Sequence, residues 1–250
     1  MKRISRCLLV FVLLNHVGLA TVQGEPVFED LYAPHSWELE QGFIPDEQIK
    51  MKRGLVLFIH WKNFNQSVIS RETMDNRIRE SIKLLQQYSY GAFSPSFDVC
   101  ERNAEIEIPS AERDALREAV RICDPYVDYS QYDVLTLYPA ILSNPRYAGV
   151  YGIGGTYDTG EGTIRFPGIG IVAAYFDERV FVHELGHWLG LDHANALECE
   201  KSIYQLKGCE KIEYGNVFDT MGSSPGHFNC SYKEQLGWSS PKDFEGSCGY

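Results

Sequence analysis

GIGIVAAYFDERVFVHELGHWLGLDH, residues 168–193, is the stretch whose reading decides the fold. Its first eight residues, Gly168–Tyr175, are rich in apolar and β-branched side chains and read as a buried strand. The strand runs into a helix from about Glu178 to Leu189. On that helix His183 and His187 stand four residues apart, so they project about 40° from each other on one face, one turn apart. Both imidazoles can therefore reach one metal ion, and Glu184 lies on the neighbouring edge. His193 is ten residues beyond His183. A continuous helix would carry it roughly 15 Å along the axis, too far to share the ion. The chain must leave the helix first, and Gly190 is the residue that permits a left-handed exit. Asp192, just before the third imidazole, reads either as an orienting carboxylate or as a solvated loop aspartate.

Working outward, Leu55–Trp61 (LVLFIHW) and Val134–Tyr138 (VLTLY) read as buried strands. Met74–Tyr88 carries Ile78, Ile82 and Leu85 at helical spacing. Residues 94–108 read as extended, with apolar residues alternating in EIEIP. Ala111–Ile122 reads as a helix capped by Ser110. Gly149–Arg165, rich in Gly and Tyr, reads as loops around a polar edge strand. His60, in an apolar strand, reads as a core histidine. Strands alternating with helices predict an α/β lobe over residues 51–193. Residues 194–250 are loop-rich and predict a smaller, irregular lobe.

Lys2, Arg3 and Arg6 precede the apolar run Cys7–Leu14, with small residues at Gly18 and Ala20. That is the pattern of a secretory signal peptide over residues 1–20, with an apolar run too short to span a bilayer. Residues 21–50, acidic and proline-bearing, read as an N-terminal extension or short pro-segment. Removing the signal takes the formal net charge from −11 to −14. Such acidity argues against nucleic acid as a partner. No membrane association is expected after cleavage, and the mature chain is expected to be a secreted monomer. Six cysteines remain after residue 20 and fall into three sequence-local pairs, predicting Cys100–Cys123, Cys199–Cys209 and Cys230–Cys248. Asn65 and Asn229 sit in glycosylation sequons.

Three imidazoles and one open position make the catalytic pattern for zinc, and an all-nitrogen ligand set favours Zn2+ over copper or iron. Glu184 then reads as the general base that takes a proton from a zinc-activated water and passes it to a leaving amine.

HExxHxxGxxH at residues 183–193 resembles the signature of the metzincin metallopeptidases. The likeness extends to FDTMG at residues 218–222, similar to the turn that places a methionine, here Met221, beneath the histidines. YGNVFDTMGSSPGHFNCSYKEQLGW (214–238), SYGAFSPSFDV (89–99) and YAGVYGIGG (147–155) resemble the gametolysin-like branch. The likeness covers roughly residues 51–240. It implies a metzincin-like catalytic domain with a twisted mixed sheet and zinc endopeptidase activity on proteins or peptides. Such a substrate is expected to bind in extended form, adding a strand to an exposed edge within Gly149–Arg165. Asn229 lies inside the 214–238 segment, whose resemblance to the family implies a core position and argues against use of its sequon. Two departures stand out. Residues 21–50 hold no cysteine to latch a zinc ion, and no tyrosine follows Met221 directly. His227 is a candidate for the oxyanion role such a tyrosine has in some metzincins, or else a packing residue. From a different class comes the alternative of a catalytically silent secreted zinc-binding recognition protein. Retention of Glu184 and all three histidines weighs against it.

Overall fold

The computed structural model describes residues 53–64, 69–139, 148–172, 177–199 and 208–238. The signal peptide, the 21–50 extension, Asn65 and Cys248 lie outside them.

Strand β1 (Arg53–His60) is buried along nearly its whole length because it has a parallel partner on each side. Helix α1 (Arg71–Tyr88) starts three residues earlier than its apolar periodicity suggested, since Ser70 caps it by accepting from the Thr73 amide. Its buried stripe is Met74, Ile78, Ser81, Leu85 and Tyr88, while Ile82 is only partly covered. Strand β2 (Ser96–Asn103) pairs with β1 from end to end. It stops where its partner stops, so EIEIP is not a strand. Beyond it the Ala104 amide bonds the His60 carbonyl, and the Ile108 amide bonds the Asn63 side chain.

Helix α2 (Glu112–Cys123) has Ala111 at its cap, with no side-chain bond, rather than Ser110. The Ala111 carbonyl already accepts from the Asp114 and Ala115 amides, which leaves Ser110 one residue outside. Glu112 and Asp114 in the first turn stabilise the positive end of the helix dipole instead.

Strands β3 (Val134–Tyr138), β4 (Gly149–Tyr151), β5 (Gly155–Thr159), β6 (Gly162–Phe166) and β7 (Gly168–Ile171) follow, and then helix α3 (Glu178–Trp188). The main sheet has the order β2-β1-β3-β7-β4. All neighbours are parallel except β4, which runs antiparallel to β7 at the edge. The region read as loops therefore supplies one edge strand and a separate β5–β6 hairpin. The architecture is mixed α/β, as the sequence predicts.

Alternation along the strands splits the core in two. Val56, Phe58, Val134 and Ile169 face α1 and α3, while Leu55, Leu57, Leu135 and Leu137 face α2 and the β5–β6 hairpin. His60 is not a core residue. At the end of β1 it is partly exposed and bonds Glu101 through Nε2 at 2.8 Å.

The final segment contains a hairpin of β8 (Ala196–Cys199) with β9 (Cys209–Ile212), and a short helix α4 (Cys230–Gln235). Cys100–Cys123 ties β2 to the end of α2, and Cys199–Cys209 closes the β8–β9 hairpin, both as predicted. Cys230 is also disulfide-bonded. Asn229 caps α4, its side chain accepting from the Tyr232 amide at 3.0 Å, so this sequon is spent on structure. Among the described residues no helix is long and apolar enough to cross a membrane.

Candidate metal centre

Helix α3 carries the first two imidazoles. Asp177 caps it, accepting from the Val180 amide at 2.7 Å. The helix ends as its sequence requires. Gly190 has φ +87°, its amide bonds the His187 carbonyl, and the Leu191 amide bonds the Gly186 carbonyl. This exit turns the chain back over the helix, and the Leu191 carbonyl then accepts from His187 Nδ1 at 2.8 Å. The turn that frees His193 from the helix thus also orients His187.

His183, His187 and His193 bring three ligand atoms within 4.8 Å of one another. Ring centroids are 4.8 Å apart for His183–His187, 4.7 Å for His187–His193 and 5.4 Å for His183–His193. Each Nδ1 has an acceptor. His183 Nδ1 donates to the Thr220 carbonyl at 2.8 Å, and His193 Nδ1 to Glu213 Oε1 at 2.6 Å. With each proton on Nδ1, every Nε2 presents a lone pair. His187 Nε2 and His193 Nε2 lie 3.0 Å apart. Two facing lone pairs at that distance repel unless a cation sits against them. Burial, then the neighbouring His187, holds the His183 imidazole well below its ordinary range. Burial, then His193, pushes His187 down to about 4. These groups are neutral donors at neutral pH, and the donor set fits a metal ion.

Met221 lies under the helix, fully buried. A Cβ on Gly186 would collide with its Sδ, so glycine at 186 is what allows the turn to approach. Asp219 shapes that turn by accepting from the Met221 amide at 2.6 Å and the Asn229 amide at 2.7 Å. Burial raises its carboxyl above the usual range, and the two amides oppose the rise. The Met221 carbonyl accepts from the Ala194 amide, tying the turn to the residue after His193.

The carboxylate on the third imidazole is Glu213, not Asp192. The Asp192 side chain points to solvent, and its carbonyl accepts from the Tyr232 hydroxyl. Glu213 also pairs with Lys211 at 3.1 Å. Tyr214, at φ 57°, lays its ring 4.0 Å from that of His193. Sequence reading missed both residues. Closing an antiparallel hairpin at Cys199–Cys209 fixes a register in which Ala196 faces Ile212, and that register brings residue 213 back beside the third histidine. The Cys199–Cys209 pairing is the sequence signal for that approach.

Glu184 is buried at 6% exposure on α3. Strand β4 lies against the same helix, with Gly149 beside Glu184 and the Tyr151 ring 6.2 Å from that of His187. His227 packs its ring 4.4 Å from that of Tyr88, tilted by 40°, and accepts from Lys233 Nζ at 3.1 Å. Those contacts give it the packing role. It is not part of the three-imidazole group.

No family model matches the chain, and no curated protein does. Among solved structures it is similar to metalloproteinase-II from Bacteroides fragilis, at 12% identity and a TM-score of 0.45. The match covers 77% of this chain and 54% of that one, so the chain spans about half the length of that structure.

Proposed function

We propose that the chain is a secreted zinc-dependent endopeptidase of the metzincin type, in its gametolysin-like branch. The observation that carries the reading is the convergence of three Nε2 lone pairs, with Glu184 one residue after the first of them. His183, His187 and His193 would hold the zinc ion. Bound there, zinc would act as a Lewis acid toward water and a peptide carbonyl. Glu184 does the proton work. Its carboxylate takes a proton from the attacking water and delivers it to the leaving amine nitrogen. Low exposure keeps bulk water away from that carboxylate and strengthens its interactions.

The substrate is a protein or peptide bound extended along β4. That strand is the outermost of the sheet among the described residues and runs beside Glu184 and His187. An edge strand can pair with the backbone groups of an added strand whatever its sequence. Disulfides in the chain support the secreted reading.

Glu184→Gln tests the assignment. Turnover of a quenched peptide should fall about 10²–10⁴-fold, roughly 3–5 kcal/mol of transition-state stabilisation, while zinc content by mass spectrometry stays at the wild-type level. Near-normal turnover would sink the mechanism, whereas no turnover by the wild-type protein would favour a recognition protein with a silent centre. Loss of zinc would make Glu184 a ligand or structural support.

A further inference from the structure

We infer that Gly149 is a positioning residue for Glu184: the missing side chain on β4 is the space that keeps the carboxylate in its working place. The inference rests on the proposed role of Glu184. A Cβ built on Gly149 would lie 2.9 Å from Glu184 Oε1, 3.0 Å from its Cγ and 2.9 Å from Val180 Cγ1. Comfortable carbon contacts lie at about 3.5–4.0 Å, so something would have to move.

Glycine is not required there by the backbone. Gly149 is absent from the positive-φ glycines among the described residues, which include Gly152, Gly162 and Gly190. It sits in a regular antiparallel pair with Ile171, where glycine weakens a strand. Close approach is the remaining physical reason for it, and α3 is what approaches. Val180 and Glu184, four residues apart, share the helix face that meets β4. Tyr151, two residues along on the same face of β4, meets His187. One face of a three-residue strand thus touches both the base and a metal ligand.

Of the two side chains a methyl at position 149 would strike, Glu184 yields more easily. Its carboxylate is the far end of a flexible chain, whereas Val180 is β-branched and stiff about χ1. The expected result is a displaced base over an unchanged metal centre.

Gly149→Ala in the full-length chain tests this, alone and combined with Glu184→Gln and with Val180→Ala. Gly149→Ala should lower kcat about 10²-fold or more, the low end for loss of a general base, with KM and zinc content held. The visible spectrum of the cobalt-substituted protein should match that of the unsubstituted chain. In the Glu184→Gln background Gly149→Ala should add almost nothing, because a base already removed cannot be displaced. A merely structural effect would instead multiply the two losses. Val180→Ala relieves the helix contact alone, so the Gly149→Ala defect should persist with it.

Four results would overturn the inference: near-wild-type kcat in Gly149→Ala, lost zinc, full multiplication with Glu184→Gln, or rescue by Val180→Ala. Each of them is compatible with an inactive Glu184→Gln. If Glu184→Gln itself turns over normally, the underlying mechanism fails instead.

Discussion

His183 and His187 are fixed by main-chain carbonyls, those of Thr220 and Leu191, whereas His193 is fixed by a side-chain carboxylate, that of Glu213. The first two carbonyls belong to the turn around Met221 and the Gly190 exit, both packed against α3. Glu213 stands at the end of an exposed two-stranded hairpin closed by Cys199–Cys209. Two ligand positions are therefore part of the folded core, and the third depends on one residue of an appended arm. Unequal sensitivity to mutation should follow.

The largest expected effect is that of His187→Ala. Only two imidazoles would remain, so the protein should come off a desalting column without zinc and without turnover. Retained zinc would show that the helix pair is not essential to the centre.

Glu213→Ala should be intermediate, leaving all three ligands but releasing the third from its orienting bond. Removing such a partner typically weakens metal affinity about 10–100-fold, roughly 1.4–2.8 kcal/mol. Competition with a chromophoric chelator measures it. An unchanged affinity would mean that the Tyr214 ring and the Met221–Ala194 bond hold His193 unaided, and the contrast between the two kinds of support would collapse.

Lys211→Met should have the smallest effect. Lys211 pairs with Glu213 at the surface, where ion pairs contribute at most about 1 kcal/mol. A loss above about fivefold in zinc affinity would show Lys211 fixing the carboxylate more firmly than an exposed pair allows.

The same division explains what could be read in advance. Strands β1 and β3, helix α3 and its Gly190 exit follow from contiguous patterns, because helix and strand periodicity are local properties. The Ser110 cap and the extension of the β2 segment through EIEIP fail at element ends. There the outcome depends on where a partner strand stops and which carbonyl is already engaged.

By itself the sequence determined the three histidines, the glutamate beside the first, the glycine that frees the third and the two disulfides described here. The histidines, the glutamate and the glycine rest on spacing along a few turns of chain, and the disulfides on pairing each cysteine with its neighbour in sequence. Only the tertiary structure decided that Glu213 rather than Asp192 meets His193, that Gly186 admits Met221, and that Gly149 meets Glu184. Those pairs lie 20 to 35 residues apart, and no local periodicity spans such distances. Hairpin register, the approach of a turn to a helix and the place of an edge strand in a sheet bring them together.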